Sequence, residues 1–171
     1  IVINHASIKS KYFKNFIDNK EDRQNFFIKL KNVQEGYENV VRPRSSDLFK
    51  EYAINDETFY LWCTFSHDQV DFNFKNPKVL FFFIKLIHLY LKNGIRVFRL
   101  DAIAFLWKEY GTNCLNLPQT HEVVKLIRTL LNAYSKNTLL ITETNLPNLE
   151  NLSYFGAVSY THLRAHETRS D

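Results

Sequence analysis

Methionine is absent from the 171 residues, and glycine, proline and cysteine are scarce at four, four and two. So few glycines leave no phosphate loop: no G-x-G-x-x-G or G-x-x-x-x-G-K pattern follows an apolar run, which argues against the nucleotide-binding form of a doubly wound sheet. Cys63 and Cys114 stand far apart without metal-type spacing, so they are expected to be reduced thiols of a cytoplasmic protein. The longest apolar run, 79–91, is interrupted by Lys85 and His88 and falls short of a bilayer span, so no membrane partner is expected. The net charge of +4 comes from dispersed lysines, without the basic block or aromatic-interleaved stripe of a nucleic-acid binder, and no nucleic-acid partner is expected. With no methionine to start it, and Ile1 opening directly into the run IVI, the sequence is expected to be a piece of a longer polypeptide.

What is present is apolar and aromatic. A hydrophobic content of 45%, with 15% aromatic, supports one globular unit with a sizeable core. Residues 1–5, IVINH, have the composition of a buried strand ending in two polar residues, with His5 where a strand would present it to a site, although this segment alone fits better a histidine satisfied by local hydrogen bonds. Ser10 is placed to cap a short helix over 10–18, with Tyr12, Phe13, Phe16 and Ile17 at helical spacing. Residues 19–58 read as loop-rich, 59–65 (FYLWCTF) as a strand, and 66–76 as a polar loop. His67, Asp68 and Asp71 in that loop are expected to be solvated, because three such residues in one loop rarely complete a coordination sphere. Asn76-Pro77 starts a helix that runs to Lys92, with Leu80, Phe83, Ile84, Ile87 and Leu91 as its stripe and Gly94 beyond its end. A second helix is predicted from Pro118 to about Tyr134 with Val123, Ile127, Leu130, Leu131 and Tyr134 as its stripe, followed by a strand over 138–145, TLLITETN.

The chain is organised around 94–107, GIRVFRLDAIAFLW. Alternation along a strand places Ile95, Val97, Arg99 and Asp101 on one side, so a cation and a carboxylate sit together at its C-terminal end. A buried arginine there would keep Asp101 ionised, as a nucleophile requires. The same stretch also fits a structural Arg–Asp pair in a strand-to-helix turn.

Strand, excursion, helix, strand, helix, strand is the order of a parallel α/β unit, and without a phosphate loop it favours a (β/α)8 barrel over a doubly wound sheet. Strand ends in a barrel open on one face, so His5, Asp101 and Glu143 are expected to converge there. Two carboxylates on neighbouring strands, about 5–5.5 Å apart, are what retaining glycoside chemistry needs.

At this point IVINH (1–5), GIRVFRLDA (94–102) and ITETN (141–145) resemble three signature regions of the alpha-amylase superfamily of retaining glycoside hydrolases and transglycosylases, in the right order. VVRPRSSDLF (40–49), LWCTFSHDQVDFNFKNPKVL (61–80) and LWKEYGTNCLNLPQTHEVVKLIR (106–128) are similar to its sucrose-phosphorylase branch, which includes phosphorylases of other glucosides such as glucosylglycerate. The resemblance covers roughly residues 1–156 and implies a part of a TIM barrel, about strands three to five, with a loop-rich excursion after the first of them. It implies Asp101 as the nucleophile, Glu143 as the acid/base, Arg99 as the residue that orients Asp101, and His5 as a ligand of the glucosyl ring. Gln69 would lie near the site entrance, and Arg44 would meet phosphate or the acceptor unless it is an ordinary surface arginine. An α-glucoside and inorganic phosphate are the implied substrates, and no cofactor is implied. Asn145 departs from the histidine that sucrose phosphorylases carry two residues after the acid/base, which leaves the identity of the acceptor open. A third carboxylate, which the family places on a later strand, has no counterpart here.

Two further readings fit the same residues: an α-glucoside hydrolase with water as acceptor, or a transglucosidase, of the same superfamily, and a non-catalytic amylase-like carbohydrate-binding protein. The expected organisation is a barrel strand at 1–5, a small excursion domain at 6–75, and barrel helix, strand, helix and strand at 76–156. Residues 157–171 are expected to be a non-native, adapter-like tail, so the i, i+4 pair His162 and His166 carries no metal reading. Unpaired strand edges predict that this stretch alone is unstable or aggregates.

Overall fold

The computed structural model describes residues 1–54, 57–144, 146 and 154. Chain order gives β1 (His5–Ser7), α1 (Lys11–Ile17), β2 (Lys29–Leu30), β3 (Phe49–Ile54), β4 (Glu57–Trp62), β5 (Gln69–Asp71), α2 (Pro77–Lys92), β6 (Val97–Leu100), α3 (Pro118–Tyr134) and β7 (Leu139–Thr142). The tail at 157–171 and Asn145 lie outside the described residues.

A parallel arc forms the base of the structure. β6 pairs with β7 in the register Val97↔Leu139 to Leu100↔Thr142, and residues 1–3 join the other edge of β6 through the parallel bridge Val2↔Asp101. That edge is held by Ile1 N donating to the Arg99 carbonyl (2.6 Å) and Asp101 N donating to the Ile1 carbonyl (3.0 Å). α3 carries the chain from β6 back to a parallel neighbour, which only a crossover of this length permits. One face of the arc is core, with Ile3, Phe98, Leu100 and Leu140 buried, while Val2, Val97 and Arg99 point to the open face.

Local chemistry explains where the helices start and stop. Ser10 Oγ accepts from Phe13 N (3.2 Å) at α1, and Asn76 Oδ1 accepts from Lys78 N (3.0 Å) at α2, with Pro77 opening the first turn. α2 buries Val79, Phe83, Ile87 and Leu91 at strict i, i+4 spacing and ends before Gly94, whose φ of +87° suits glycine. α3 buries Thr120, Val123, Val124, Ile127 and Leu131. Here the predicted stripe is corrected: Leu130 and Tyr134 are 40% and 69% exposed, because the buried face turns toward Thr120 and Val124.

The excursion is more ordered than its composition predicts. β2, β4 and β3 form an antiparallel sheet in that order, and β1 pairs antiparallel with β5 through His5↔Asp71 and Ser7↔Gln69. The polar loop expected at 66–76 therefore contains a strand, and Asp71 within it is fully buried instead of solvated. Phenylalanines join the excursion to α1 and α2. Phe27 stacks on Phe72 (4.7 Å between centroids) and meets Phe13 and Phe16 edge-on, while Phe72 meets Phe83 edge-on. Each such pair contributes about 0.5–1.5 kcal/mol beyond its burial.

Candidate active site

β6 delivers Arg99 and Asp101 from one side, as period two requires, and the chain then turns sharply at Ala102. Ala102 adopts φ 56° and ψ 32°, the left-handed region that costs a residue with a Cβ about 1–2 kcal/mol. The turn passes into a 3-10 segment, Ile103–Phe105, and leaves Asp101 at the strand's end. Glu143 follows β7 directly, with its N–H donating to the Leu100 carbonyl (3.0 Å), so the two carboxylates sit on neighbouring strand ends.

One guanidinium spans both. Arg99 Nη2 lies 2.7 Å from Glu143 Oε1, and Nη1 lies 3.4 Å from Asp101 Oδ1. The sequence predicts a buried cation; Arg99 is instead half-exposed, and its shorter contact is to Glu143. The reason is its place on the open face of the arc, where Val97 is also exposed.

His5 is buried in β1 beside this pair of strand ends. Its Nε2 lies 2.9 Å from Gln69 Nε2 and its Nδ1 lies 3.4 Å from Asn4 Nδ2, and its ring is 5.0 Å from Phe65, which in turn meets Phe105. Burial lowers the His5 pKa below the ordinary histidine value; Lys108 adds to this, whereas Asp71 and Asp101 oppose it. The ring is therefore neutral over the ordinary working range. Gln69 is anchored from the far side by Ser66 Oγ, which donates to its Oε1 (2.9 Å).

Arg44 is not brought into this group. It stands exposed on the turn after Pro43 and makes no hydrogen bond or ion pair with a described residue. Its neighbour Arg42 is the pinned one, donating through Nη2 to Ser46 Oγ (3.2 Å) and to the carbonyls of Asp47 (3.0 Å) and Cys63 (3.2 Å). Among the described residues no three His, Cys, Asp or Glu side chains gather as a metal site. His67 Nε2 contacts the Asp47 carbonyl (3.0 Å), and Asp68 Oδ1 accepts from Ser7 Oγ (3.2 Å).

Beneath His5 lies a polar network that sequence pattern does not mark. Asp71 Oδ2 accepts from Thr64 Oγ1 (2.6 Å) and Asn4 Nδ2 (3.0 Å) and pairs with Lys108 Nζ (2.7 Å), while its Oδ1 accepts from Thr64 N (3.1 Å). Lys108 Nζ also donates to Asn4 Oδ1 (2.8 Å) and to the Phe105 carbonyl. The one available signal was alternation: Asp71 sits two residues after Gln69, on the same side of β5.

Two carboxylates at adjacent parallel strand ends, a buried histidine beside them and an arc of strands backed by helices can be compared with known proteins. The family model for the alpha-amylase catalytic domain matches residues 1–165. The chain belongs to the alpha-amylase catalytic-domain family. Within it, the chain is 43% identical over 165 residues to glucosylglycerate phosphorylase of Spirochaeta thermophila, covering 95% of this chain and 28% of that protein. It is 41% identical over 157 residues to glucosylglycerate phosphorylase of Escherichia coli, covering 91% of this chain and 28% of that protein. The crystal structure of sucrose 6F-phosphate phosphorylase from Thermoanaerobacter thermosaccharolyticum shares the fold, with a TM-score of 0.72 at 23% identity over 83% of this chain and 32% of that one. The chain thus spans about 28% of the length of these curated relatives. The parallel arc is a part of an amylase-family TIM barrel domain. No helix among the described residues is long and apolar enough to cross a membrane.

Proposed function

We propose that this stretch carries the nucleophile and the acid/base of a retaining glucosyl phosphorylase, which moves a glucosyl unit from an α-glucoside of the sucrose or glucosylglycerate kind to inorganic phosphate. The observation that carries the proposal is Arg99 bridging Asp101 and Glu143 across β6 and β7 in a chain over 40% identical to two glucosylglycerate phosphorylases. Asp101 attacks the anomeric carbon while Glu143 gives a proton to the leaving oxygen, forming a β-glucosyl ester. Phosphate then attacks the same carbon, Asp101 leaves, and α-glucose 1-phosphate forms with retention. His5, neutral and walled by Phe65, holds the glucosyl ring, with Gln69 at the entrance. Arg44 is free to turn toward the phosphate, for which a guanidinium fork is suited. No cofactor enters these steps.

The test uses a full-length polypeptide that contains this stretch, supplied with glucosylglycerate or sucrose, with and without phosphate. Appearance of α-glucose 1-phosphate that depends on phosphate supports the proposal. Release of glucose at the same rate without phosphate identifies a hydrolase, and absence of any turnover favours a binding protein.

A further inference from the structure

Lys108 is enclosed, with its side chain 6% exposed, and so is its partner Asp71 at 0%. A buried ion pair is weak evidence of stabilisation, because desolvation of two charges offsets their attraction, and apolar side chains of equal size serve a core as well. What distinguishes this pair is where its bonds go. The Lys108 ammonium donates to Asp71 on β5, to Asn4 immediately before β1, and to the Phe105 carbonyl in the turn that follows Asp101. These three segments are the ones that surround His5: Asn4 precedes it, Asp71 is its register partner across the β1–β5 pair, and Phe105 reaches it through Phe65.

Asn4 is fixed in orientation by this arrangement. Its Oδ1 faces an ammonium, which only donates, and its Nδ2 faces a carboxylate, which only accepts here, so its amide cannot turn over without losing both bonds. The same Nδ2 lies 3.4 Å from His5 Nδ1. One cation therefore sets Asn4, Asp71 and the turn after the nucleophile strand together, and through them the place of the His5 ring relative to Asp101.

We propose that Lys108 is a positioning residue for donor binding, acting through Asn4 and Asp71 to hold His5 and Gln69 against the end of β6. The proposal rests on the reading of His5 as the residue that holds the glucosyl ring. A cavity of about 270 Å³ is lined by Lys108 with Trp62, Lys75, Glu109 and Tyr110. Truncation of the lysine would open this cavity toward Asp71 and admit a small amine.

The experiment is chemical rescue in the full-length polypeptide. Lys108→Ala is expected to lower kcat/KM for the glucosyl donor about 100-fold per active site, the loss typical of a displacement near 1 Å, with sites counted from the burst of aglycone. Propylammonium is expected to restore the constant saturably, and propanol, of similar size and no charge, to leave it unchanged. Rescue by propanol as well assigns the loss to packing and overturns the proposal. Wild-type kcat/KM per active site with only a lowered Tm also overturns it. If Lys108→Ala does not fold, Lys108→Gln keeps the length without the charge; a raised donor KM with an unchanged phosphate KM supports the proposal, and unchanged donor kinetics overturn it. His5→Ala is run in parallel. Normal donor use by His5→Ala removes the underlying reading of His5, whereas impaired His5→Ala beside normal Lys108 variants removes the positioning role alone.

Discussion

Arg99 Nη2 lies 2.7 Å from Glu143 Oε1, closer than the 3.4 Å between its Nη1 and Asp101 Oδ1. A half-exposed pair of this kind contributes at most about 1 kcal/mol to stability, so its value lies in geometry. The planar fork reaches two carboxylates on different strands at once, which a lysine's single ammonium does not. In this arrangement one side chain fixes the two carboxylates relative to each other.

Arg99→Lys is accordingly expected to lower kcat/KM of the full-length polypeptide about 100-fold through misplaced carboxylates, while unfolding free energy changes by less than about 1 kcal/mol. Steady-state kinetics and denaturant unfolding of the same preparation check this. A variant that loses stability and keeps its rate would show Arg99 to be a structural cation.

Glu143→Gln removes the proton donor and keeps the shape. With an α-glucoside donor the rate is expected to fall by about 10²–10⁴, the range for general acid/base catalysis. Glucosyl fluoride needs no protonated leaving group, so its first step survives, and added azide should restore turnover. The product then carries the α configuration, because azide replaces phosphate on the glucosyl-enzyme. β-Glucosyl azide by NMR would contradict the assignment of Glu143.

Burial of His5 places its pKa below the ordinary 6.5, against the opposing charges of Asp71 and Asp101 and with the help of Lys108. As pH falls, the unfolded chain takes up this proton first, so the contribution of His5 to stability is complete above about pH 6.5 and is lost as pH drops through the folded value. The neutral ring persists to the same point. Donor kcat/KM is therefore expected to be flat through neutrality and to fall at a pH below 6.5, and His5→Asn should remove that limb. An acid limb above pH 6.5 would contradict the environment assigned to His5.

Arg42 and Arg44 separate by position despite sharing one tripeptide. Arg42 is tied to Ser46, Asp47 and Cys63, so Arg42→Ala should lower Tm and disturb the turn. Arg44→Ala is expected to raise the phosphate KM about tenfold or more, the loss of one hydrogen bond to a charged group at about 1.5–3 kcal/mol, with donor KM unchanged. An unaltered phosphate KM would leave Arg44 as a surface residue.

Elements with strong local signals were legible in the sequence. α1 and α2 announced themselves through Ser10 and Asn76-Pro77 and through apolar residues at helical spacing, and alternation put Arg99 with Asp101 and Ile141 with Glu143. β3 was not legible, because FKEYAI does not alternate; it is a strand by virtue of its partners, Glu51↔Tyr60 and Tyr52↔Phe59. Asp71 and Lys108 were missed for a related reason. Each is a charged residue, Asp71 between Val70 and Phe72 and Lys108 between Trp107 and Glu109, and each is buried only because a distant segment supplies its counter-charge. The exposure of Leu130 and Tyr134 likewise depends on which neighbours the helix meets, which periodicity alone does not state.

The most direct measurement of the central claim is to find where glucose becomes covalently attached. The full-length polypeptide is incubated with 5-fluoro-glucosyl fluoride, quenched, digested and mapped by mass spectrometry. The glucosyl label is expected on the peptide containing Arg99 and Asp101, at Asp101 itself, and to be absent from Asp101→Asn. A label on Glu143, or a covalent glucosyl adduct that persists in Asp101→Asn, would contradict it.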